Sequence, residues 1–118
     1  MKWNHLALTV RDQQRSKSFY SNVLGLSFNV QEDLVGMLLR MEDGFELALL
    51  VGDPPEGRER IHFGFELKTS DEVRSFRQRL KSETVTEVEW YDLDTFVSVK
   101  FLDPDEYVVE VFWEKGQL

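Results

Sequence analysis

Apolar and polar positions alternate along this chain in short runs, and the runs recur in a fixed order. Residues 2–10 read as a strand, with Leu6, Leu8 and Val10 on one face and Trp3, His5, Ala7 and Thr9 on the other. Asp12 stands where a helix N-cap belongs. Residues 13–24 then carry Ser16, Phe19, Tyr20, Val23 and Leu24 at helical spacing, polar only at Ser16, and Gly25 supplies the stop. Strand runs follow at 26–30, 34–41 and 45–51. Their breaks, Gln31-Glu32-Asp33 and Glu42-Asp43-Gly44, are short and polar, as hairpin turns require.

Residues 52–60, rich in Gly, Pro and charge, form the one linker-like stretch. Then the order starts again. Residues 61–67 alternate, with Ile61, Phe63, Phe65 and Leu67 on one face and His62, Gly64 and Glu66 on the other. Thr69 or Ser70 caps a helix over about 71–81 whose stripe is Val73, Phe76 and Leu80. Strands at 85–90, 95–102 and 107–113 complete the pattern. The chain is β-α-β-β-β written twice, which predicts an α+β fold of two modules, about 1–52 and 60–118. A module that cannot bury its own sheet face packs on a copy, in the same chain or in another subunit.

Composition narrows the chemistry. The formal charge of −8 argues against nucleic acid, whose phosphates need a basic face. It suits solubility and is compatible with a cationic ligand or a metal. No apolar run reaches the roughly 20 residues of a membrane span. Met1-Lys2-Trp3-Asn4-His5 leads straight into a strand, so no signal peptide is expected and the cytosol is the default location. The chain has no Cys, so disulfides say nothing of its redox compartment.

One carboxylate draws the eye. Glu110 stands in the last strand among Val108, Val109, Val111 and Phe112, where burial is costly unless something compensates it. A bound cation would do so. His5, Glu46 and His62 occupy comparable places, each read as mid-strand with apolar neighbours. Ala7, Ala48 and Gly64 lie two residues beyond His5, Glu46 and His62 on the same faces, and small neighbours leave room for an ion or a substrate. The only two His in the chain fall at matching points of the two repeats. Two imidazoles and two carboxylates suit Zn²⁺, Ni²⁺, Co²⁺, Mn²⁺ or Fe²⁺. Arg40 and Lys100 are candidate anion contacts, with surface charge as their plainer reading. Trp3 shares a face with His5, and either walls a pocket or packs at a subunit interface.

Asn4-His5-Leu6-Ala7-Leu8-Thr9-Val10-Arg11-Asp12 and Ser18-Phe19-Tyr20-Ser21-Asn22-Val23-Leu24-Gly25-Leu26 resemble the opening of the vicinal-oxygen-chelate superfamily, which holds the glyoxalases, bleomycin-resistance proteins and extradiol dioxygenases. Phe45-Glu46-Leu47, Ile61-His62-Phe63-Gly64-Phe65 and Phe101-Leu102-Asp103-Pro104-Asp105 through Glu110 resemble its later signatures. The resemblance implies two paired modules, forming a curved, mostly antiparallel sheet around a metal-site cleft. It implies a metal that binds vicinal oxygens as a Lewis acid. His5, Glu46, His62 and Glu110 fall on the ligand pattern of glyoxalase I.

Glutathione recognition is another matter. Where that enzyme usually has an Arg on the first strand this chain has Thr9, and where it usually has an Asn after the first Glu ligand this chain has Leu50. The usual Asp-Pro-Asp-Gly turn here ends in Glu106. Fosfomycin-resistance relatives normally lack the Glu at the position of Glu46, which argues against that reading, and extradiol dioxygenases use two His and one Glu with Fe²⁺, which Glu46 and the small size argue against. The resemblance therefore implies a metal-dependent lyase or isomerase acting on a small vicinal-oxygen substrate, with Glu46 or Glu110 as general base. It also implies a homodimer. The competing class is a metal-free protein that sequesters a cationic drug, as bleomycin-resistance members do. A third is a metal site that only stabilises the assembly.

Overall fold

Residues His5–Val10 form strand β1, with Leu8 and Val10 buried and His5 and Ala7 exposed. It starts later than the alternation predicts, although the Asn4 carbonyl already accepts from the Glu46 N–H at 2.8 Å. The computed structural model describes residues 1–33 and 36–116, and divides them into two compact units, Met1–Glu56 and Gly57–Leu118.

In the first unit, β1 is followed by helix α1 (Gln13–Ser18) and strands β2 (Phe28–Glu32), β3 (Met37–Met41) and β4 (Glu46–Val51). Asp12 caps α1 by accepting from the Arg15 N–H at 3.1 Å. The helix expected over 13–24 is not uniform. From Phe19 to Val23 it widens into a π-helical turn, where the Leu24 N–H reaches back to the Phe19 carbonyl at 3.1 Å. The buried stripe survives the change, with Ser16, Tyr20 and Leu24 all inside. Gly25 ends the segment at φ 75°, a conformation that favours glycine. Leu26 is held by the Tyr20 carbonyl at 3.0 Å, so β2 begins at Phe28 rather than Leu26. It also absorbs Gln31 and Glu32, which the sequence assigned to a turn. Leu34 and Val35, expected to open β3, lie outside the described residues. The sheet order is β1-β4-β3-β2, with β1 parallel to β4 and the other pairs antiparallel.

The second unit repeats this plan. Strand β5 (His62–Glu66), helix α2 (Ser70–Ser82) and strands β6 (Glu87–Asp92), β7 (Phe96–Leu102) and β8 (Val108–Glu114) give the order β5-β8-β7-β6, again with one parallel pair. The fold is thus α+β, built of two β-α-β-β-β modules with mixed sheets. Thr69 caps α2 by accepting from the Glu72 N–H at 3.2 Å. Val73, Phe101, Val109 and Val111 are buried between helix and sheet, and Phe76 meets Phe101 at 5.8 Å between ring centres. Two arginines tie α2 to β6: Arg74 reaches Asp92 at 2.9 Å and Arg77 reaches Glu87 at 2.6 Å. Before β8, one oxygen of buried Asp103 accepts from the N–H groups of Asp105 and Tyr107, both at 2.9 Å. This closes the Asp-Pro-Asp turn and aims β8. Among the described residues no helix is long and apolar enough to cross a membrane.

Candidate metal-binding residues

Three of the four proposed ligands are not in mid-strand. His5, Glu46 and His62 are each the first residue of their strand, and only Glu110 lies inside one. The sheet continues on only one side of a strand's first residue. This agrees with His5 and His62 keeping about half of their side-chain surface open, 53% and 46%, while Glu110 keeps 13%.

In the first module the sheet register lines up three of the predicted residues. His5 pairs with Glu46 across β1–β4, and Glu46 pairs with Arg40 across β4–β3. Glu46 Oε2 lies 4.0 Å from His5 Nδ1, while its Oε1 accepts a hydrogen bond from Arg40 Nη2 at 3.0 Å. Arg40, expected to meet an anionic substrate, is thus held by a carboxylate of its own sheet. Trp3 precedes β1 and is 82% exposed.

In the second module the register is offset. Glu110 pairs with Gly64, and His62 pairs with Val108, two residues away. The side chains nevertheless meet, with His62 Nε2 3.4 Å from Glu110 Oε1. Between them the strands approach closely at Gly64, where a Cβ would stand 3.0 Å from the Glu110 carbonyl oxygen and 3.3 Å from its Cβ. The other oxygen of Glu110 accepts from the Ser98 hydroxyl at 2.5 Å. Part of the compensation that the sequence assigned to a cation is therefore supplied by Ser98. Lys100 is the register partner of Glu110, but its ammonium turns to Glu89 Oε1 at 2.7 Å. That hydrogen bond raises the Lys100 pKa and lowers that of Glu89.

The donor types suit a divalent ion in both pairs, and the spacing suits one in the second. Metal–nitrogen and metal–oxygen bonds of roughly 2.0–2.2 Å, at angles between square and tetrahedral, hold two donors roughly 3.0–3.5 Å apart. The His62–Glu110 separation of 3.4 Å lies in that range, and the His5–Glu46 separation of 4.0 Å is longer. Among the described residues no three His, Cys, Asp or Glu side chains gather closely enough to hold an ion.

Ser98 and Glu89 were not singled out by the sequence reading. Ser98 left one signal, a small hydroxyl between the apolar residues Val97 and Val99 on the face shared by Lys100. Glu89 left none that separates it from the chain's other carboxylates.

The profile of the Glyoxalase/Bleomycin resistance protein/Dioxygenase superfamily matches residues 2–111. This chain belongs to that superfamily. A superfamily relative from Bacillus subtilis (strain 168), named "Probable trivalent organoarsenical cleaving enzyme", is 30% identical over an alignment of 121 positions that covers 98% of this chain and 82% of that protein. A "Trivalent organoarsenical cleaving enzyme" from Bacillus sp. (strain MD1) is 31% identical over 81 residues, 68% of this chain and 50% of that protein. Among solved structures, "a possible Glyoxalase from Bacillus cereus" superposes with a TM-score of 0.79 at 25% identity, covering 94% of this chain and 97% of that one. The fosfomycin resistance protein FosX from Listeria monocytogenes shares the fold, with a TM-score of 0.81 at 19% identity over 98% of this chain and 95% of that one. A mutant of that protein was crystallised with Mn(II) and 1S,2S-dihydroxypropylphosphonic acid.

Proposed function

We propose that this chain is a metal-dependent lyase or isomerase of the glyoxalase type, acting on a small substrate with adjacent oxygens. His5, Glu46, His62 and Glu110 are the ligands of its divalent ion, one of Zn²⁺, Ni²⁺, Co²⁺, Mn²⁺ or Fe²⁺. The observation that supports this most is the His62–Glu110 pair, an imidazole nitrogen and an enclosed carboxylate oxygen 3.4 Å apart. Bound there, the ion would polarise vicinal oxygens and ease removal of a neighbouring proton. Glu46 or Glu110 would leave the ion and act as the base for that proton. Trp3, Arg40 and Lys100 contact the substrate, the two cations by exchanging Glu46 and Glu89 for an anionic group. We place the protein in the cytosol as a homodimer.

The Arg40–Glu46 hydrogen bond favours a second reading, in which Glu46 is not a ligand and His5, His62 and Glu110 remain. Two His and one carboxylate are the donor set of non-haem Fe(II) oxygenases. The names of the Bacillus relatives would then suggest cleavage of an organoarsenical. Trivalent arsenic is soft and thiophilic, and thiolate is its natural side-chain partner. This chain has no Cys. We therefore keep the oxygen-chelating substrate ahead of the arsenical one.

A turnover screen tests the reading. Purified protein loaded with each metal is offered 2-oxoaldehydes with several thiols, and a trivalent aryl arsenical beside them. Turnover of an oxoaldehyde adduct, lost in Glu110→Gln and Glu46→Gln, supports the glyoxalase-type reaction. Arsenical cleavage supports the second reading. No turnover, with tight binding of a cationic drug by metal-free protein, supports the sequestering class instead.

A further inference from the structure

We propose that Ser98 is a positioning residue that gives the two oxygens of Glu110 different roles. The inference rests on the reading that Glu110 is a metal ligand.

Ser98 sits in β7 and is 1% exposed, between Val97 and Val99, which are fully buried. A hydroxyl in such a place costs stability unless it is hydrogen-bonded, and alanine or valine would suit the strand better. A serine has one proton to donate. Here it goes to Glu110 Oε2 at 2.5 Å, a length typical of a hydroxyl bound to a charged carboxylate. Oε1 is left toward His62 Nε2, 3.4 Å away. Lys100, the cross-strand partner of Glu110, does not disturb this division because its ammonium is held by Glu89 at 2.7 Å. Gly64, the register partner of Glu110 in β5, lets the two strands approach closely at this point.

The consequence is a carboxylate that presents one oxygen. Ser98 holds Oε2 and fixes the rotation of the group, so Glu110 donates to an ion through Oε1 alone. Groups that orient a ligand in this way are worth roughly 10–100-fold in metal affinity.

The test compares wild type with Ser98→Ala and Ser98→Thr in two measurements. The first needs no metal: the carbon NMR shift of the Glu110 carboxyl. It is expected to move in Ser98→Ala and to return in Ser98→Thr, while the melting temperature stays close to wild type. A carboxyl shift unchanged in Ser98→Ala overturns the proposal, whatever the metal result. The second is titration with Co²⁺, followed by its visible d–d absorption. Binding roughly tenfold or more weaker in Ser98→Ala, with an altered band shape and rescue by Ser98→Thr, is the expected result. Equal affinity and an identical spectrum in Ser98→Ala overturn the role toward a ligand. If wild type binds no Co²⁺, the metal reading of Glu110 fails and the role of Ser98 toward a ligand falls with it.

Discussion

His62 and Glu110 are not register partners, yet their side chains meet at 3.4 Å, whereas His5 and Glu46 are register partners and stand 4.0 Å apart. The two modules repeat the same elements but not the same pairing. In the second, the imidazole reaches along the parallel β5–β8 pair, over Gly64, to a carboxylate two positions further on. In the first, the two strands begin together and the pair faces directly across.

Gly64 stands opposite Glu110 where β5 and β8 approach closely. Gly64→Ala places a Cβ against the backbone oxygen of Glu110, an atom fixed within the sheet. We expect a loss of about 1 kcal/mol by urea unfolding, in the range of small overpacking errors. We also expect weaker metal binding, because β8 must shift. Unchanged stability and affinity would mean that the close approach of β5 to β8 is unimportant.

The Arg40–Glu46 hydrogen bond separates the four-ligand set from the three-ligand set. If Glu46 binds the ion, Arg40 competes with it. Arg40→Gln should then tighten metal binding, and Glu46→Gln should weaken it at least about tenfold, read by calorimetric titration. Equal affinities in all three proteins would assign Glu46 to Arg40 alone.

The second module is predicted to be acid-sensitive. Glu87 is held below its ordinary pKa by the hydrogen bond from Arg77, Asp92 by that from Arg74, and Glu89 by that from Lys100. A carboxylate depressed in the folded state contributes stability that is present above its unfolded pKa, roughly 4. That stability is lost as pH falls through the folded value. The urea midpoint should therefore fall as pH drops below about 4.5, and less steeply in Glu87→Gln. An identical slope in that variant would remove the Arg77–Glu87 pair from the account.

The φ of Glu106 is 66°, in the left-handed region that favours Gly. A non-glycine residue in this region costs roughly 1–2 kcal/mol, and the extra freedom of unfolded Gly returns roughly 0.5–1 of it. Its contact with Arg58 is long at 3.9 Å, and its side chain is mostly exposed, so little is lost there. Glu106→Gly should stabilise the protein by about 0.5–1 kcal/mol, seen as a higher melting temperature. A lower one would show that the Arg58 contact carries more than its geometry suggests.

Much of the fold was legible because alternation and helical stripes are local signals. Leu8, Val10, Val73 and Leu80 fell on the faces they bury. The duplication was legible for the same reason. The π-helical turn at Phe19–Val23 was not, since an i to i+5 bond leaves the apolar stripe almost unchanged. The start of β2 was missed because Leu26 is claimed by the Tyr20 carbonyl, a tertiary choice that periodicity does not record. Around the candidate ligands, residue types were readable but partners were not. The offset of Glu110 onto Gly64 is set by pairing between strands far apart in sequence. The long side chains of Arg40 and Lys100 each found a carboxylate that only the sheet register brings near.

The most direct test of the account is the metal content of the purified protein by plasma mass spectrometry, repeated on His5→Ala and Glu110→Ala. The account predicts about one divalent ion per chain in wild type and loss of the ion in both variants. Protein that carries no metal, and gains no thermal stability from Ni²⁺, Zn²⁺ or Mn²⁺, would contradict it.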